Sequence, residues 1–284
     1  MVPRFRLGPE ITAEQSEHLD RYGFLHFEGV ASPDEVAMIG AEMDRIEQAW
    51  IEEHRTHVFG IPLFFGRGPG GRPFLQRLAF TSVFSDSIRS FVRDPRFEPL
   101  RRLVGDDARV GDAEKDGVVI NRYLNVPGSV YPRLGWHTDG LRDLFYGRLP
   151  LRFLNVGLHL DACDESNGGL RLIPGSHLQG FWSMAFRKPY FVSHAPDRDE
   201  VCVETCPGDL TVHDGRLWHR VARSTRTGAA SLRRSMYVPY LTGPYEPKSD
   251  ASPTPAYHKL GAWMRRRMLQ RAAPGAGVAA GTPQ

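Results

Sequence analysis

The stretch Trp136-His137-Thr138-Asp139-Gly140 decides how this chain is interpreted. His137 and Asp139 are two residues apart, and residues at that spacing point to the same face of a β-strand. An imidazole and a carboxylate at these positions could therefore converge on one metal ion. The tripeptide alone is weak evidence, because H-x-D recurs by chance and such residues usually serve as hydrogen-bonded structural groups.

A third ligand can come from the segment GDLTVHDGRLWHRVARS, residues 208 to 224. It contains two histidines, His213 and His219, and the spacing does not choose between them. Two histidines and one carboxylate on one side of an ion form the facial triad of non-haem Fe(II) oxygenases. Such a triad leaves coordination positions open for a co-substrate and O2. The two segments together predict an open iron site.

The segment SLRRSMYVPYL, residues 231 to 241, follows shortly afterwards. Arg233 and Ser235 are again two apart in a strand-forming run, so both can face the pocket. A guanidinium beside a hydroxyl suits the distal carboxylate of a dicarboxylic acid such as 2-oxoglutarate. Because side chains alternate along a strand, either Arg233 or Arg234 faces solvent, and a register shift of one residue would exchange them.

The order H-x-D, then His, then Arg-x-Ser resembles the phytanoyl-CoA dioxygenase family of Fe(II)/2-oxoglutarate oxygenases. The resemblance covers roughly residues 12 to 240 and includes the segments RYGFLHFEGVASPDEV, NGGLRLIPGSH and GDLTVHDGRLWH. It implies that His219 completes the metal site with His137 and Asp139, and that His213 is only a neighbouring position. It also implies that Arg233 and Ser235 bind 2-oxoglutarate, the co-substrate used with Fe(II) and O2.

Two asparagines are further candidates by the same resemblance. Asn121 lies in VVINRYLNVPG, which corresponds to a strand that often contributes a polar contact to the oxo acid in that family. Asn155 lies where a side chain lines the 2-oxoglutarate cavity in similar enzymes. The alternative for both is an ordinary hydrogen-bonding role within the sheet.

Composition narrows the class of protein. With 284 residues and 31.9 kDa the chain can form one domain around a sizeable core. The net charge of +3 gives no overall field that favours nucleic acid. Three cysteines are too few for a disulfide framework, which favours a reducing, cytoplasmic location. The sequence shows neither a signal peptide nor a run of roughly 18 apolar residues, so we expect no membrane segment.

The flanking elements are predicted from capping signals and periodicity. Thr12 to Gln15 and Ser32 to Glu35 have the form of capping boxes, and Gly23 is expected to end the first helix. The second helix carries an apolar stripe that should lie against a sheet. Residues 52 to 77 are interpreted as a loop carrying Phe59, Phe64 and Phe65, whose rings either shape the substrate pocket or seal one end of the core. Residues 179 to 200 lack a regular period and are interpreted as a lid, with aromatic residues Phe181, Trp182, Phe186, Tyr190 and Phe191.

Turn-separated strands with helices gathered near the N-terminus predict a mainly β fold with flanking helices. The specific prediction is a double-stranded β-helix, the jelly-roll barrel of the cupins. Residues 1–271 are expected to form one domain, with a helical part at about 10–105, a barrel core at about 117–242 and a helix at about 255–271. Residues 272–284 are expected to be a disordered tail.

The predicted activity is hydroxylation of an unactivated C–H bond in a small, moderately apolar molecule of secondary metabolism, with release of succinate and CO2. In the family resembled, halogenating members lack the carboxylate ligand, so the presence of Asp139 favours hydroxylation. Desaturation or cyclisation with the same cofactors is an alternative outcome. A cupin-type metalloenzyme without an oxo acid, or a non-catalytic binding protein, are alternatives of a different class. The sequence gives no indication of oligomeric state.

Overall fold

The computed structural model describes residues 2–127, 129, 132–146 and 152–258. Most of the α-helices in the described residues lie before residue 105, and a further short one lies at residues 181–186. The α-helices are α1 Ala13–Tyr22, α2 Pro33–Glu52, α3 Thr81–Phe84, α4 Asp86–Val92, α5 Glu98–Arg102 and α6 Phe181–Phe186. The 3-10 helices are Pro69–Gly71, Pro95–Phe97, Gly140–Tyr146, Ser176–Leu178 and Gly228–Ser231.

The strands form two main antiparallel sheets and two small hairpins. They are β1 Phe24–Phe27, β2 His57–Val58, β3 Ile61–Pro62, β4 Phe65–Arg67, β5 Pro73–Leu75, β6 Arg77–Leu78, β7 Arg109–Val110, β8 Val119–Tyr123, β9 Leu134–His137, β10 Leu154–His159, β11 Gly169–Leu172, β12 Val201–Val203, β13 Leu210–Asp214, β14 His219–Ala222 and β15 Arg233–Leu241. The seven-stranded sheet has the order β1-β13-β10-β15-β8-β6, with β7 also paired to β15. The four-stranded sheet has the order β12-β11-β14-β9. The mainly β architecture with flanking helices is as predicted.

Local signals place the first two helices where the sequence predicts them. Thr12 and Ser32 each cap a helix through a complete capping box, and Gly23 ends α1 in the left-handed conformation. Helix α2 buries Ile39, Met43, Ile46 and Trp50 along one stripe. That stripe belongs to the same apolar cluster as the seven-stranded sheet, so α2 covers one face of the sheet.

The two faces of the seven-stranded sheet differ in chemistry. The outer face, on the α2 side, is apolar and comprises Leu154, Val156, Leu158, Leu210, Val212, Met236, Val238 and Ile120. Residues directly opposite in antiparallel strands share a face. The ladder therefore assigns to the inner face His213 and Thr211 of β13, Asn155 and His159 of β10, Arg233, Ser235 and Tyr237 of β15, and Asn121 and Tyr123 of β8.

Part of the inner face is accessible to solvent. Asn121, Asn155 and Tyr237 are all partly exposed. Side chains also connect the two sheets, because Arg233 of the large sheet donates to the carbonyl of Ala222 in the small one at 2.9 Å. The inner face therefore lines an accessible space between the two sheets.

Two sequence predictions for the connecting segments were wrong in part. Residues 52–77 contain two short hairpins, β2–β3 and β4–β5, instead of an irregular loop. Phe59 packs against Phe80, with ring centroids 5.0 Å apart, which favours the interpretation that this ring seals the core. Residues 179–200 contain the six-residue helix α6, which is too short to show a helical period in the sequence.

The predicted C-terminal helix starts near its expected position. Residues 256–258 are helical, and the remainder of that helix and the predicted tail lie outside the described residues. Within the part of the chain that the structure describes, none of the helices has both the length and the hydrophobicity of a transmembrane span.

Candidate metal centre

The predicted metal ligands lie at the ends of two paired strands of the four-stranded sheet. His137 is the last residue of β9 and His219 is the first of β14, and the two are directly opposite in the ladder. Asp139 follows β9 and precedes the 3-10 helix Gly140–Tyr146. The sequence predicts His137 and Asp139 on one strand, whereas Asp139 lies two residues beyond the end of β9 and reaches its partners from the bend there.

The three side chains converge on one point. His137, Asp139 and His219 each present a ligand atom, and these atoms all lie within 4.8 Å of one another. Nε2 of His137 is 3.9 Å from Asp139 Oδ1, and Nε2 of His219 is 3.6 Å from Asp139 Oδ2. These distances are too long for hydrogen bonds. All three residues are buried, and Nε2 of each histidine faces the carboxylate without a hydrogen bond to it.

The two histidines are oriented as metal ligands. Nδ1 of His137 lies 2.8 Å from the carbonyl of Gly135, and Nδ1 of His219 lies 3.0 Å from the carbonyl of Leu217. Since a carbonyl only accepts, Nδ1 must carry the proton in both rings, and Nε2 presents its lone pair to the centre. Burial lowers the pKa of His137 to about 3 and that of His219 well below its usual value. Both imidazoles are therefore neutral, as metal coordination requires.

Both oxygens of Asp139 have donors from neighbouring elements. Nδ2 of Asn155 donates to Oδ2 at 2.6 Å, and the guanidinium of Arg142 contacts Oδ1. Arg142 also donates to Oδ2 of Asp116 at 2.8 Å. Hydrogen bonds of this kind fix the orientation of a ligating carboxylate. Asn155, a predicted 2-oxoglutarate contact, is thus placed against the metal ligand Asp139.

The segment predicted to be a lid contacts the metal strand. Phe191 stacks on the ring of His137 with centroids 4.6 Å apart, and its amide donates to the carbonyl of Trp136 at 2.8 Å. Phe191 has a φ of 60°, a left-handed backbone conformation that is unfavourable for a bulky residue. By contrast, Trp182 and Phe186 are 74% and 72% exposed. Only the C-terminal half of the segment therefore reaches the centre.

The adjacent arginines of β15 have different surroundings. Arg233 is 5% exposed, lies on the inner face, and donates to the carbonyls of Ala222 and Pro132. Its Nε has no hydrogen-bond partner among the described residues, and burial lowers its pKa. Arg234 points to the other side and forms two hydrogen bonds with the carboxylate of Asp161, at 2.8 and 2.9 Å. The geometry favours Arg233 as the residue facing the pocket.

The remaining candidates flank Arg233. Ser235 and Asn121 are directly opposite each other on β15 and β8, both on the inner face. Ser235 is 9% exposed, whereas Asn121 is partly exposed. His213 also lies on the inner face, with Nε2 3.8 Å from Asp139 Oδ2, although it is not part of the ligand group. The structure thus arranges the metal ligands and the predicted oxo-acid residues around one space.

A cluster of charged residues adjoins the metal centre. The carboxylate of Asp116 accepts from Arg77 at 2.8 Å, from Arg142 at 2.8 Å and from the hydroxyl of Tyr257 at 2.9 Å. Lys248 lies 4.0 Å from the same carboxylate. Since Arg142 also contacts Asp139, the cluster is linked directly to the predicted iron ligand. Arg77 and Asp116 could not be identified from the sequence, because no local motif marks them.

Comparison with known proteins gives concordant results. The family model described as phytanoyl-CoA dioxygenase matches residues 19–234, which is most of the chain. The chain is 27% identical over 176 residues to the ectoine dioxygenase of Bordetella bronchiseptica, covering 61% of this chain and 52% of that protein. It is 27% identical over 168 residues to a probable alpha-ketoglutarate-dependent hypophosphite dioxygenase of Stutzerimonas stutzeri, covering 58% and 52%. The chain spans about half the length of the curated relatives it matches.

A solved structure extends the comparison to the whole fold. The non-haem alpha-ketoglutarate-dependent epimerase SnoN from nogalamycin biosynthesis superimposes with a TM-score of 0.58 and 19% identity. The match covers 94% of this chain and 91% of that one. At this level of identity the likeness shows that the two proteins share a fold.

Proposed function

The chain belongs to the phytanoyl-CoA dioxygenase family of Fe(II)/2-oxoglutarate oxygenases, and from this premise we propose that it is a non-haem Fe(II)- and 2-oxoglutarate-dependent dioxygenase. The proposed reaction is hydroxylation of an unactivated C–H bond in a small, moderately apolar molecule of secondary metabolism, with release of succinate and CO2. The observation that carries the proposal is the convergence of His137, Asp139 and His219.

The donor set fits Fe(II). Two neutral imidazoles and one carboxylate on one side of an ion leave coordination positions for other ligands, as in non-haem Fe(II) oxygenases. The Nε2 lone pairs of His137 and His219 face the oxygens of a buried carboxylate, which has no proton to donate to them, and a cation between these groups would stabilise the arrangement. When bound, Fe(II) with 2-oxoglutarate supplies the activation of O2 that an unactivated C–H bond requires.

Arg233 supports the choice of 2-oxoglutarate. It is a buried cation whose hydrogen-bond acceptors among the described residues are the carbonyls of Ala222 and Pro132, and a buried charge is costly unless an opposite charge pairs with it. The distal carboxylate of the oxo acid would supply the missing negative charge, with Ser235 and Asn121 as neighbouring polar groups. A cupin-type metalloenzyme without an oxo acid would leave Arg233 unpaired, which disfavours that alternative.

We propose that Asn155 and Arg142 orient Asp139. Their hydrogen bonds reach both carboxylate oxygens and hold the group in one orientation. The predicted role of Asn155 in lining the 2-oxoglutarate cavity is compatible with this position, because Asn155 also lies on the inner face with Ser235 and Arg233. A non-catalytic binding protein would have no need for this arrangement.

The surroundings of the centre suit a substrate with apolar and acidic parts. Phe191 and Tyr190 supply aromatic surface beside His137. On another side, Arg77, Arg142 and Lys248 lie around the carboxylate of Asp116. We therefore propose a small molecule that carries a carboxylate or hydroxyl group on an otherwise apolar skeleton.

The outcome of the reaction is part of the proposal. Asp139 occupies a ligand position that halogenating relatives leave to chloride, so hydroxylation is favoured over halogenation. Desaturation or cyclisation at the same centre is the second candidate.

We also propose that residues 1–271 form one domain and that its two sheets form a double-stranded β-helix. The likeness to SnoN over 94% of this chain supports a single domain of this type.

A cytoplasmic location is proposed from the cysteine content, and all three cysteines are free in the structure.

The function can be tested without knowing the substrate. The Fe(II)-loaded chain would be incubated with 2-oxoglutarate, O2 and a metabolite extract, while succinate and new oxygenated products are followed by mass spectrometry. We expect one metabolite to gain an oxygen atom in step with succinate formation. His219→Ala serves as the matched control and should abolish both signals. Succinate formation that is equal in both proteins, or an absence of any substrate-dependent succinate, would contradict the proposal.

A further inference from the structure

His213 is a buried side chain that the proposed function has not used. It lies on β13, is 1% exposed, and faces Asn155 across the ladder. Neither of its ring nitrogens has a hydrogen-bond partner among the described residues. In any protonation state at least one ring nitrogen carries a hydrogen, so His213 buries a donor without an acceptor. Such groups are rare in folded proteins and call for a specific explanation.

Three other buried histidines in the described part of the chain each have a hydrogen-bond partner for at least one ring nitrogen. His26 lies 3.0 Å from the carboxylate of Asp209, and His159 lies 3.0 Å from the hydroxyl of Thr211. His177 lies 3.1 Å from the carbonyl of Asp20. The fold thus supplies partners for buried imidazoles elsewhere, and the exception at His213 lies beside the metal centre.

His213 borders the predicted coordination sphere without belonging to it. Its Nε2 is 3.8 Å from Asp139 Oδ2, and its ring centroid is 4.7 Å from that of His219. The group of mutually close ligand atoms contains His137, Asp139 and His219 but not His213. Asp139 Oδ2 already accepts a 2.6 Å hydrogen bond from Asn155. The free donor of His213 is therefore available for an atom of a ligand bound beside the iron.

The inner face defines the path of such a ligand. His213 lies at the metal end, Tyr237 lies beyond it with ring centroids 6.0 Å apart, and Arg233 lies at the far end. The Arg233 guanidinium donates to Ala222, three residues along β14 from His219 and so about 10 Å from it. A five-carbon diacid chelated at the metal and extended toward Arg233 would pass over the inner face, with its oxo-acid head next to His213.

We propose that His213 is a binding residue for the 2-oxo acid and donates a hydrogen bond from its ring to a carboxylate oxygen of the oxo-acid head. This inference rests on the proposed function. His213 and Arg233 then hold opposite ends of the same molecule. A neutral N–H donating to a carboxylate is a charge-assisted hydrogen bond, and one that is buried contributes substantially to affinity.

The test measures binding at equilibrium. Under anaerobic conditions the Fe(II)-loaded chain would be titrated with 2-oxoglutarate and with 2-oxobutyrate, which keeps the oxo-acid head and lacks the distal carboxylate. The visible charge-transfer absorption of the chelate reports each Kd. His213→Leu removes the donor, whereas His213→Gln is of similar size and keeps an N–H group. Iron affinity would be measured separately without oxo acid.

We expect His213→Leu to raise the Kd of both oxo acids about 10- to 100-fold, the loss expected for one hydrogen bond to a charged group. His213→Gln should recover most of the affinity, and iron affinity should stay within about three-fold of wild type in both variants. Arg233→Ala should weaken 2-oxoglutarate and leave 2-oxobutyrate unchanged, which separates contacts to the tail from contacts to the head.

Three results would overturn the inference. Unchanged affinities in His213→Leu would show that the ring does not touch the oxo acid. An effect on 2-oxoglutarate alone would place the contact at the tail, and a fall in iron affinity with unchanged oxo-acid binding would make His213 a support for Asp139. If the wild-type chain itself gives no chelate band, the proposed function fails, an outcome distinct from failure of the His213 contact.

Discussion

The two faces of the seven-stranded sheet are built from alternate residues of the same strands, yet they serve different purposes. The outer face packs apolar side chains such as Leu158 and Val212 against α2, and these residues are almost completely buried. The inner face carries His213, Asn155 and Arg233 and opens onto the metal centre. Stability resides largely on one face and binding on the other, so substitutions one residue apart should have separable effects.

Arg233 and Arg234 are adjacent residues of β15 that lie on opposite faces of the sheet. Arg233 is buried on the inner face with carbonyl partners, whereas Arg234 is paired with Asp161 on the opposite side. The two residues have the same chemistry and adjacent positions. Their different environments follow only from the alternation of side chains along β15.

The largest expected effect comes from removing a metal ligand beside the inner face. His219→Ala should abolish stoichiometric iron binding and oxygenase turnover, because two remaining ligands do not form the facial triad. Iron content by mass spectrometry and succinate formation check this. His177→Gln is a suitable control, since His177 is a buried histidine whose ring bonds to the carbonyl of Asp20. Full iron loading in His219→Ala would contradict the assignment.

The outer face should govern stability. Leu158 is 1% exposed within the main apolar cluster, and Leu158→Ala is expected to lower the free energy of unfolding by about 2–5 kcal/mol. Chemical denaturation measures this change. The 2-oxoglutarate Kd of the folded variant should be unchanged, although its neighbour His159 lies on the inner face. A large change in that Kd for the folded variant would contradict the assignment of stability to the outer face and of binding to the inner face.

The arginine pair tests the register of β15. Arg233→Ala should raise the 2-oxoglutarate Kd about 10- to 100-fold while iron binding is kept, because a charge-assisted contact to the distal carboxylate is lost. Arg234→Ala is the matched control, and we expect a change of less than about three-fold. Anaerobic titration of the iron-loaded proteins gives both values. The reverse pattern would mean that the register is shifted by one residue.

A smaller effect is expected for Asn155 on the inner face. Asn155→Ala removes the hydrogen bond to Asp139 Oδ2 and should weaken iron binding about 10-fold, since contacts that orient a ligand typically contribute at this level. Competition with a metal chelator measures the iron affinity. In Asn121→Ala, iron affinity should remain at the wild-type level. Equal losses in the two variants would argue against a specific role of Asn155 at Asp139.

Local signals made much of this structure predictable from the sequence. The capping boxes at Thr12 and Ser32 depend only on neighbouring residues, and the structure shows both helices. The two-residue spacing of Arg233 and Ser235 is likewise local, and both residues lie on β15. The choice of His219 over His213 came from the family resemblance. The spacing allowed both, and the structure places both rings beside Asp139.

What the sequence did not reveal depends on contacts between distant segments. Phe191 reaches His137 because the backbone of the C-terminal half of residues 179–200 is hydrogen-bonded to β9. Asn155 lies in the seven-stranded sheet and donates to Asp139, which follows a strand of the four-stranded sheet. Arg142 likewise joins Asp139 to Asp116. Such contacts carry no periodicity, and a single sequence therefore contains no local pattern from which to infer them.

The most direct test of the central claim is anaerobic addition of one equivalent of Fe(II) and excess 2-oxoglutarate to the folded chain, with the visible absorption spectrum recorded. The account predicts a weak metal-to-ligand charge-transfer band that saturates at one iron per chain and is missing from His219→Ala. Folded wild-type protein that shows no such band would contradict the assignment of His137, Asp139 and His219 as an iron site that binds 2-oxoglutarate.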